Sequence, residues 1–398
     1  SYGEVGNDQI GGDRFLYLPS SYGAASDSGV NKYNFGLASN PYTSLMIVEN
    51  KIGNPDLTWE KAKKMNVGVD INLFNNCLTA SFDIFKEKRN NILANRSTSP
   101  MIIGANLPAY NFGEMENRGW EMDLNFRHHI QDFHYWARFN YSFARNEIIY
   151  MDEVQKRYDY QMTTGRRKNQ FFGLIFDGYY NSWEEINALD RPKSSWSGNQ
   201  LQPGDVKYVD VNQDGVIDDY DMVPIGYTPV PEIIYGFSFG AQYKGFDFSI
   251  LFQGADNVSI KYFGRSMWPF AKGEESAKSL IKERWTQERY EAGEKITFPR
   301  LSLNPNGETD HNYRPSTLWI RDASYLRLKN LEVGYTFTGG FVKRLNLNSV
   351  RLYFNGSNLF TWTDVVDLDP EAPSRSGNVE INTYPLQKVY NIGLNINF

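Results

Sequence analysis

The sequence predicts an all-β protein, an antiparallel, up-and-down transmembrane β-barrel with long extracellular loops. Three observations lead there. The final residues alternate strictly, with Tyr390, Ile392, Leu394, Ile396 and Phe398 on one face and Asn391, Gly393, Asn395 and Asn397 on the other, which is the period of a strand with one apolar and one wet side. Similar runs recur in pairs, most of them near or above the ~10 residues that a membrane strand needs. Short and long connections alternate between them, as in a barrel with short periplasmic turns and long external loops.

The first pair places Val67, Val69, Ile71 and Leu73 on one face, turns at Asn75-Asn76 and returns through Leu78, Ala80, Phe82 and Ile84. In the second, Trp120, Met122, Leu124 and Phe126 are followed, past Gln131-Asp132, by Phe133, Tyr135, Ala137, Phe139, Tyr141 and Phe143. A third runs from Tyr235, Phe237, Phe239, Ala241 and Tyr243 through the turn types Lys244-Gly245 to Phe246, Phe248, Ile250 and Phe252. Runs at 324–337, 348–361 and 386–398 bring the expected number to about nine strands. Long connections are expected at about 91–116, 148–232, 257–323 and 363–385. A soluble antiparallel sandwich is the alternative, but its strands average about five or six residues. The other faces here carry Asp70, Glu121, Arg127, Arg138 and Asp247, which suit a wet lumen.

Composition agrees without deciding. The 398 residues carry a net charge of −6, which argues against nucleic acid as the main partner. No stretch approaches the roughly 18 apolar residues of a membrane helix, a test that alternating strands escape. Aromatic residues make up 15% of the chain, enough for interfacial girdles or for a carbohydrate-binding groove. A single cysteine, Cys77, excludes an internal disulfide and a cysteine-based zinc site. Nothing at Ser1 resembles a secretory leader, and the chain reads as mature, processed or truncated.

The sharpest chemical motif is Asp210-Val-Asn-Gln-Asp-Gly-Val-Ile-Asp-Asp-Tyr-Asp221. Oxygen-bearing side chains fall at positions one, three, five, nine and twelve: Asp210, Asn212, Asp214, Asp218 and Asp221. Gly215 stands at six for the sharp bend, and Val216 can offer its carbonyl at seven. That spacing suits calcium in a structural role, because carboxylates crowded in one loop repel without a cation. An acidic solvated turn is the bland alternative. The aromatics Tyr179, Tyr180, Trp183, Trp196 and Trp268, with Trp285 and Tyr290, can contact substrate, contact a lid protein, or hold the loops together. Residues 276–291, with Ala277, Leu280, Ile281 and Trp285, fit a short amphipathic helix. His128 and His129 face opposite sides of a strand and make a poor chelating pair, with His134 nearby. Pairs such as Glu184-Glu185 and Glu274-Glu275 read as solvated surface rather than a glycosidase dyad. No hydrolase, zincin or phosphate-loop motif is present, so no enzyme activity is expected.

Several stretches resemble the SusC/RagA class of TonB-dependent outer-membrane transporters. They are Gly6-Asn7-Asp8 with Arg14-Phe15-Leu16-Tyr17, the run from Asn54 to Glu60, the run from Asp322 to Leu331 continuing to Gly334-Tyr335, and Asn358 to Thr363 with Asp369-Pro370-Glu371. The resemblance implies a 22-stranded plugged barrel in the outer membrane of a Gram-negative bacterium. It also implies a SusD-like surface lipoprotein acting as a lid, and energy from TonB. Phe398 resembles the terminal residue that outer-membrane assembly machinery reads. The plug and TonB box of the class have no match here, so the chain is expected to be the C-terminal part, completed by missing sequence or another chain. The function expected is import of glycans or oligopeptides. A soluble, calcium-stabilised carbohydrate-binding or glycan-degrading protein and a passive porin are the alternatives.

Overall fold

The computed structural model describes residues 1–7, 17–18, 22–24, 32–37, 39, 41–45, 47–49, 52–98, 107–196, 201–262, 268–270, 279–302, 310–371, 378–379 and 386–398. The expected sites at Asp8, Arg14 to Leu16, Glu274-Glu275 and Ala277 lie outside these residues.

Ten antiparallel strands form one meander in which each strand bonds to its chain neighbours. They are β1 (Tyr2–Asn7), β2 (Glu60–Leu73), β3 (Leu78–Ala94), β4 (Tyr110–Ile130), β5 (Phe133–Tyr150), β6 (Ile233–Tyr243), β7 (Phe246–Asp256), β8 (Tyr325–Phe337), β9 (Ser349–Thr363) and β10 (Val389–Asn397). Nine were expected. The extra strand, β1, pairs Tyr2 with Met65 through Asn7 with Glu60, and its six residues and two glycines are too few to show alternation. Among the described residues β1 and β10 each pair on one side only, so the ten strands form an open arc.

Registers gather the apolar positions onto one face. Ile84, Trp120, Phe143 and Ile233 form one cross-strand row over β3 to β6. Tyr243, Phe246, Tyr335, Leu352 and Leu394 form another over β6 to β10. Among the described residues this face stays open on the outside: Ile84 is 54% exposed, Leu352 48% and Ile392 80%. On β5 the apolar run from Phe133 to Phe143 spans ten steps, about 33 Å along the strand, or about 25 Å at the usual barrel tilt. That matches the hydrocarbon height. Stacked rings reinforce the band, with Trp120 and Tyr141 at 4.7 Å and Phe237 and Phe252 at 4.5 Å.

Above the band the strands continue with charge on both faces. Lys86 meets Glu116 at 2.9 Å and Lys88 meets Glu114 at 3.0 Å. This corrects the expected loop at 91–116, because β3 runs to Ala94 and β4 starts at Tyr110. Strands polar on both sides have no alternation to read. The last strand likewise begins at Val389 rather than 386.

The short turns are as their residue types require. Lys244 and Gly245 take φ values of 47° and 87°, the consecutive left-handed pair of a type I′ hairpin. Phe74, Asn75 and Asn76 turn with φ of 54°, 56° and 67°.

The hydrophobic core lies in the long connections and not in the wall. Leu174, Val206, Tyr262, Phe298, Tyr313, Trp319, Ala323 and Val365 are all buried in one cluster drawn from three separate connections. Small sheets brace it. Phe176–Tyr179 pairs with Val206–Tyr208, and Ser259–Tyr262 lies between Ile320–Asp322 and Asn378–Val379. Trp319 stacks on Tyr313 at 5.3 Å and donates its indole N–H to the Asn312 carbonyl at 2.8 Å.

Candidate functional site

Opposite the apolar face the same registers collect the polar residues. Asp70, Ser81, Asp123 and Asn140 share one row across β2 to β5. Farther round, Arg351 of β9 reaches over β8 to Asp247 of β7, Nε to Oδ2 at 3.0 Å, and donates to Glu332 at 2.6 Å. Residue 334 lies beneath this bridge. A Cβ there would sit 2.6 Å from both the Arg351 and Asp247 side chains, so the bridge requires glycine. Asn355 and Asn391 continue the row with a 2.9 Å hydrogen bond. The result is a continuous hydrophilic wall.

One long connection returns onto this wall. Arg327 of β8 is 2% exposed, and it donates to Asp369 at 2.7 Å, to Thr361 at 2.9 Å and to Glu371. Glu371 also accepts from the Tyr325 hydroxyl at 2.7 Å and from Gln253 at 3.2 Å. The Asp369-Pro370-Glu371 turn is therefore latched to two strands, β7 and β8, chiefly through charge-assisted bonds. Each half of the latch stood in a motif noted in the sequence, but their pairing was not legible. A lone arginine at a lumen-facing register was the available sign.

A second junction holds the rim. Glu232, buried just before β6, accepts from Arg145 at 2.9 and 2.8 Å, from Arg167, and from Asn257 at 3.1 Å. Burial alone would raise its carboxyl, but the Arg145 and Arg167 guanidiniums hold it below the usual range. Beside it opens a cleft of about 380 Å³ lined by Glu87, Arg89, Asn117, Asn146, Arg167 and Glu232. The sequence reading missed Glu232 because its partners lie 65 and 87 residues away.

The acidic loop at 210–221 is compact and turns its side chains onto its own amides. Asp210 accepts from Gly215 N at 2.8 Å, Asp214 from Val216 N at 2.9 Å, and Asp218 from Tyr220 N at 2.7 Å. Asp221, fully buried, accepts from Val211 N at 2.8 Å and Asp218 N at 2.9 Å. Burial pushes its carboxyl above the usual value, with Asp210 adding to the shift. Gly215 adopts φ 81°, as a bend at position six demands. Lys193 and Ser195 take the carbonyls of Gly215 and Ile217, so strand alternation turns that of Val216 the other way. Among the described residues no three or more His, Cys, Asp or Glu side chains converge as a metal cage.

The five aromatics noted for substrate or lid contact divide. Tyr179, Tyr180 and Trp268 are buried in loop cores, where they hold the connections together. Trp196 packs against the same core beneath Arg314, 4.1 Å from its ring. Only Trp183 of the five is open, at 51% exposure. The expected helix over 276–291 is corrected to a 3₁₀ turn at Ser279–Glu283 and a short helix at Gln287–Glu291, capped by Thr286 and broken at buried Trp285. Glu185 is tied to Lys207 at 2.6 Å and to Asn181 N at 2.8 Å, a structural role.

Residues 16–359 match the family model described as TonB dependent receptor-like, beta-barrel. The chain belongs to that family. TonB-dependent receptor P3 of Formosa agariphila is 27% identical over 417 residues, covering 100% of this chain and 39% of that protein. TonB-dependent receptor SusC of Bacteroides thetaiotaomicron is 26% identical over 403 residues, covering 100% and 37%. Two structures of the RagAB peptide importer or transporter share the fold with TM-scores of 0.69, at 23% and 24% identity, and cover 100% of this chain and 39% and 40% of theirs. The chain thus spans about two-fifths of the length of these relatives. Membership of that family places the chain in an outer-membrane β-barrel, and it resembles SusC in sequence and RagAB in fold.

Proposed function

We propose that this receptor chain supplies an arc of the wall and most of an outer loop cap in a TonB-dependent importer of glycans or oligopeptides. The continuous polar wall, closed at one end by a folded loop unit, carries the reading. A wall wet on one side and apolar on the other separates lipid from a lumen. The 8–59, 95–109, 151–232, 257–324 and 364–388 connections then lie outside the cell, and the short turns face the periplasm. A SusD-like lipoprotein would seat on the cap as a lid, with Trp183 as an exposed anchor. TonB would act through a plug outside this chain, and further strands would close the barrel. The oligopeptide class draws support from the likeness to the RagAB peptide importer.

Within the cap, the 210–221 loop would hold a structural calcium ion. Asp210, Asn212, Asp214, Asp218, Asp221 and the Val216 carbonyl would supply the oxygens, after the acidic side chains exchange loop amides for the cation. Deleting the gene should abolish energised uptake of at least one labelled compound from a panel of oligosaccharides and oligopeptides, and a plasmid copy should restore it. Uptake unchanged across the panel, or unaffected by a protonophore, would overturn the import reading. Titration in chelated buffer should show saturable calcium binding that Asp214→Ala abolishes; no heat above background would end the calcium reading alone.

A further inference from the structure

We infer that His129 and His134 form a two-histidine site for a late first-row divalent cation, such as nickel, zinc or copper, on the polar face at the short-turn end of β4 and β5. The adjacent pair His128-His129 cannot chelate because neighbours on a strand point to opposite sides. Pairing across the hairpin changes this. His129 lies directly opposite His134, and both belong to the polar row, whereas His128 lies opposite Tyr135 on the apolar row. Their ring centroids are 5.4 Å apart.

That spacing suits a shared ion. A metal–nitrogen bond of about 2.0–2.1 Å puts each ring centre about 3.2 Å from the metal, so two rings at a tetrahedral angle stand about 5 Å apart. The planes are 23° from parallel, so rotation about χ2, a soft torsion for histidine, must turn one nitrogen of each ring to a common point. Both side chains are exposed and open to such rotation. Gln242 of β6 occupies the register position opposite His134 and can bring an amide oxygen to the same row. Water completes the shell. Imidazole pairs favour the later first-row ions over magnesium or calcium.

Nickel binding to the detergent-solubilised protein, measured by calorimetry, tests this, since nickel does not oxidise the Cys77 thiol. Loss of either ring turns a chelate into a single ligand and should weaken that site on the order of a hundredfold. His129→Ala and His134→Ala should each remove the same site, while His128→Ala should keep it. Magnesium should not compete, and affinity should fall on acidification because the ligands must be neutral. If both variants bind nickel like the parent, the inference is wrong. It is equally wrong if His128→Ala removes the site, which would place the metal at Cys77 and His128, whose Sγ and Nδ1 lie 3.6 Å apart. Circular dichroism of each variant in the metal-free state checks that the barrel is intact.

Discussion

Replacing Arg327 by methionine keeps the length of the side chain and removes its charge, which isolates the latch between β8 and the last long connection. Arg327 bonds Asp369 at 2.7 Å, Thr361 at 2.9 Å and Glu371, and is itself 2% exposed. Breaking a buried ion pair typically costs about 3–5 kcal/mol. The Asp369 and Glu371 side chains are 12% and 21% exposed and can recruit water once the arginine is gone, so the lower end, about 3 kcal/mol, applies. The wall itself should hold, because its ladders do not depend on this residue. The effect should appear as local opening of residues 363–371. At 1.36 kcal/mol per decade, hydrogen exchange of amides such as Val365 and Val366 should quicken about a hundredfold. Adding Glu371→Gln to the methionine variant should recover part of the protection, since the amide still accepts from Tyr325 without a buried charge. Unchanged exchange in the single variant, or no recovery in the double, would refute the latch.

Glu232→Gln should loosen the rim by about 3 kcal/mol, seen as faster proteolysis of the 151–232 connection. Because the Glu232 carboxyl is held below its ordinary value, its contribution is present above about pH 4.5 and is lost as pH falls through the folded value. His311 donates Nε2–H to the Val206 carbonyl at 2.7 Å and accepts at Nδ1 from Ser194 at 3.1 Å. Burial lowers its proton affinity. Its contribution is complete above about pH 6.5 and declines below that, so tryptophan fluorescence of the cap should report acid loosening that His311→Gln flattens. Asp221 has the opposite sign: its raised carboxyl makes the cation-free loop firmer in acid, a contribution lost as pH rises through the folded value, and calcium should reverse that slope in a proteolysis series. Trp268→Ala should destabilise the cap by about 3–5 kcal/mol, whereas Trp183→Ala should change stability by less than about 0.5 kcal/mol and weaken lid capture in a pull-down.

The wall was legible because lipid and lumen impose a period of two on every strand, from Val67 to Phe398. Legibility ended where that asymmetry ended. Glu114 and Glu116, facing Lys88 and Lys86, continue the strands above the lipid, yet both faces are polar there and residues 91–116 read as loop. Within the cap no single period applies, so Tyr179, Tyr180 and Trp268 could not be assigned to core or surface from spacing. The Arg327–Asp369 pair of the latch and the Arg145–Glu232 pair of the rim junction span 42 and 87 residues, and only register brings them together. The acidic loop at 210–221 is the opposite case, a local motif whose geometry at Gly215 follows its residue order.

The cap's dependence on distant connections also sets an order of events during assembly. Its core joins Leu174 to Val365, with Val258, Tyr262 and Trp319 between them, so no one connection can collapse alone. Contacts of such long separation form late, after local hairpins have closed. The β4–β5, β6–β7 and β8–β9 hairpins must therefore be aligned before the cap can dry its interior. Until then its tryptophans stay hydrated, and their burial becomes a clock for completion of the wall.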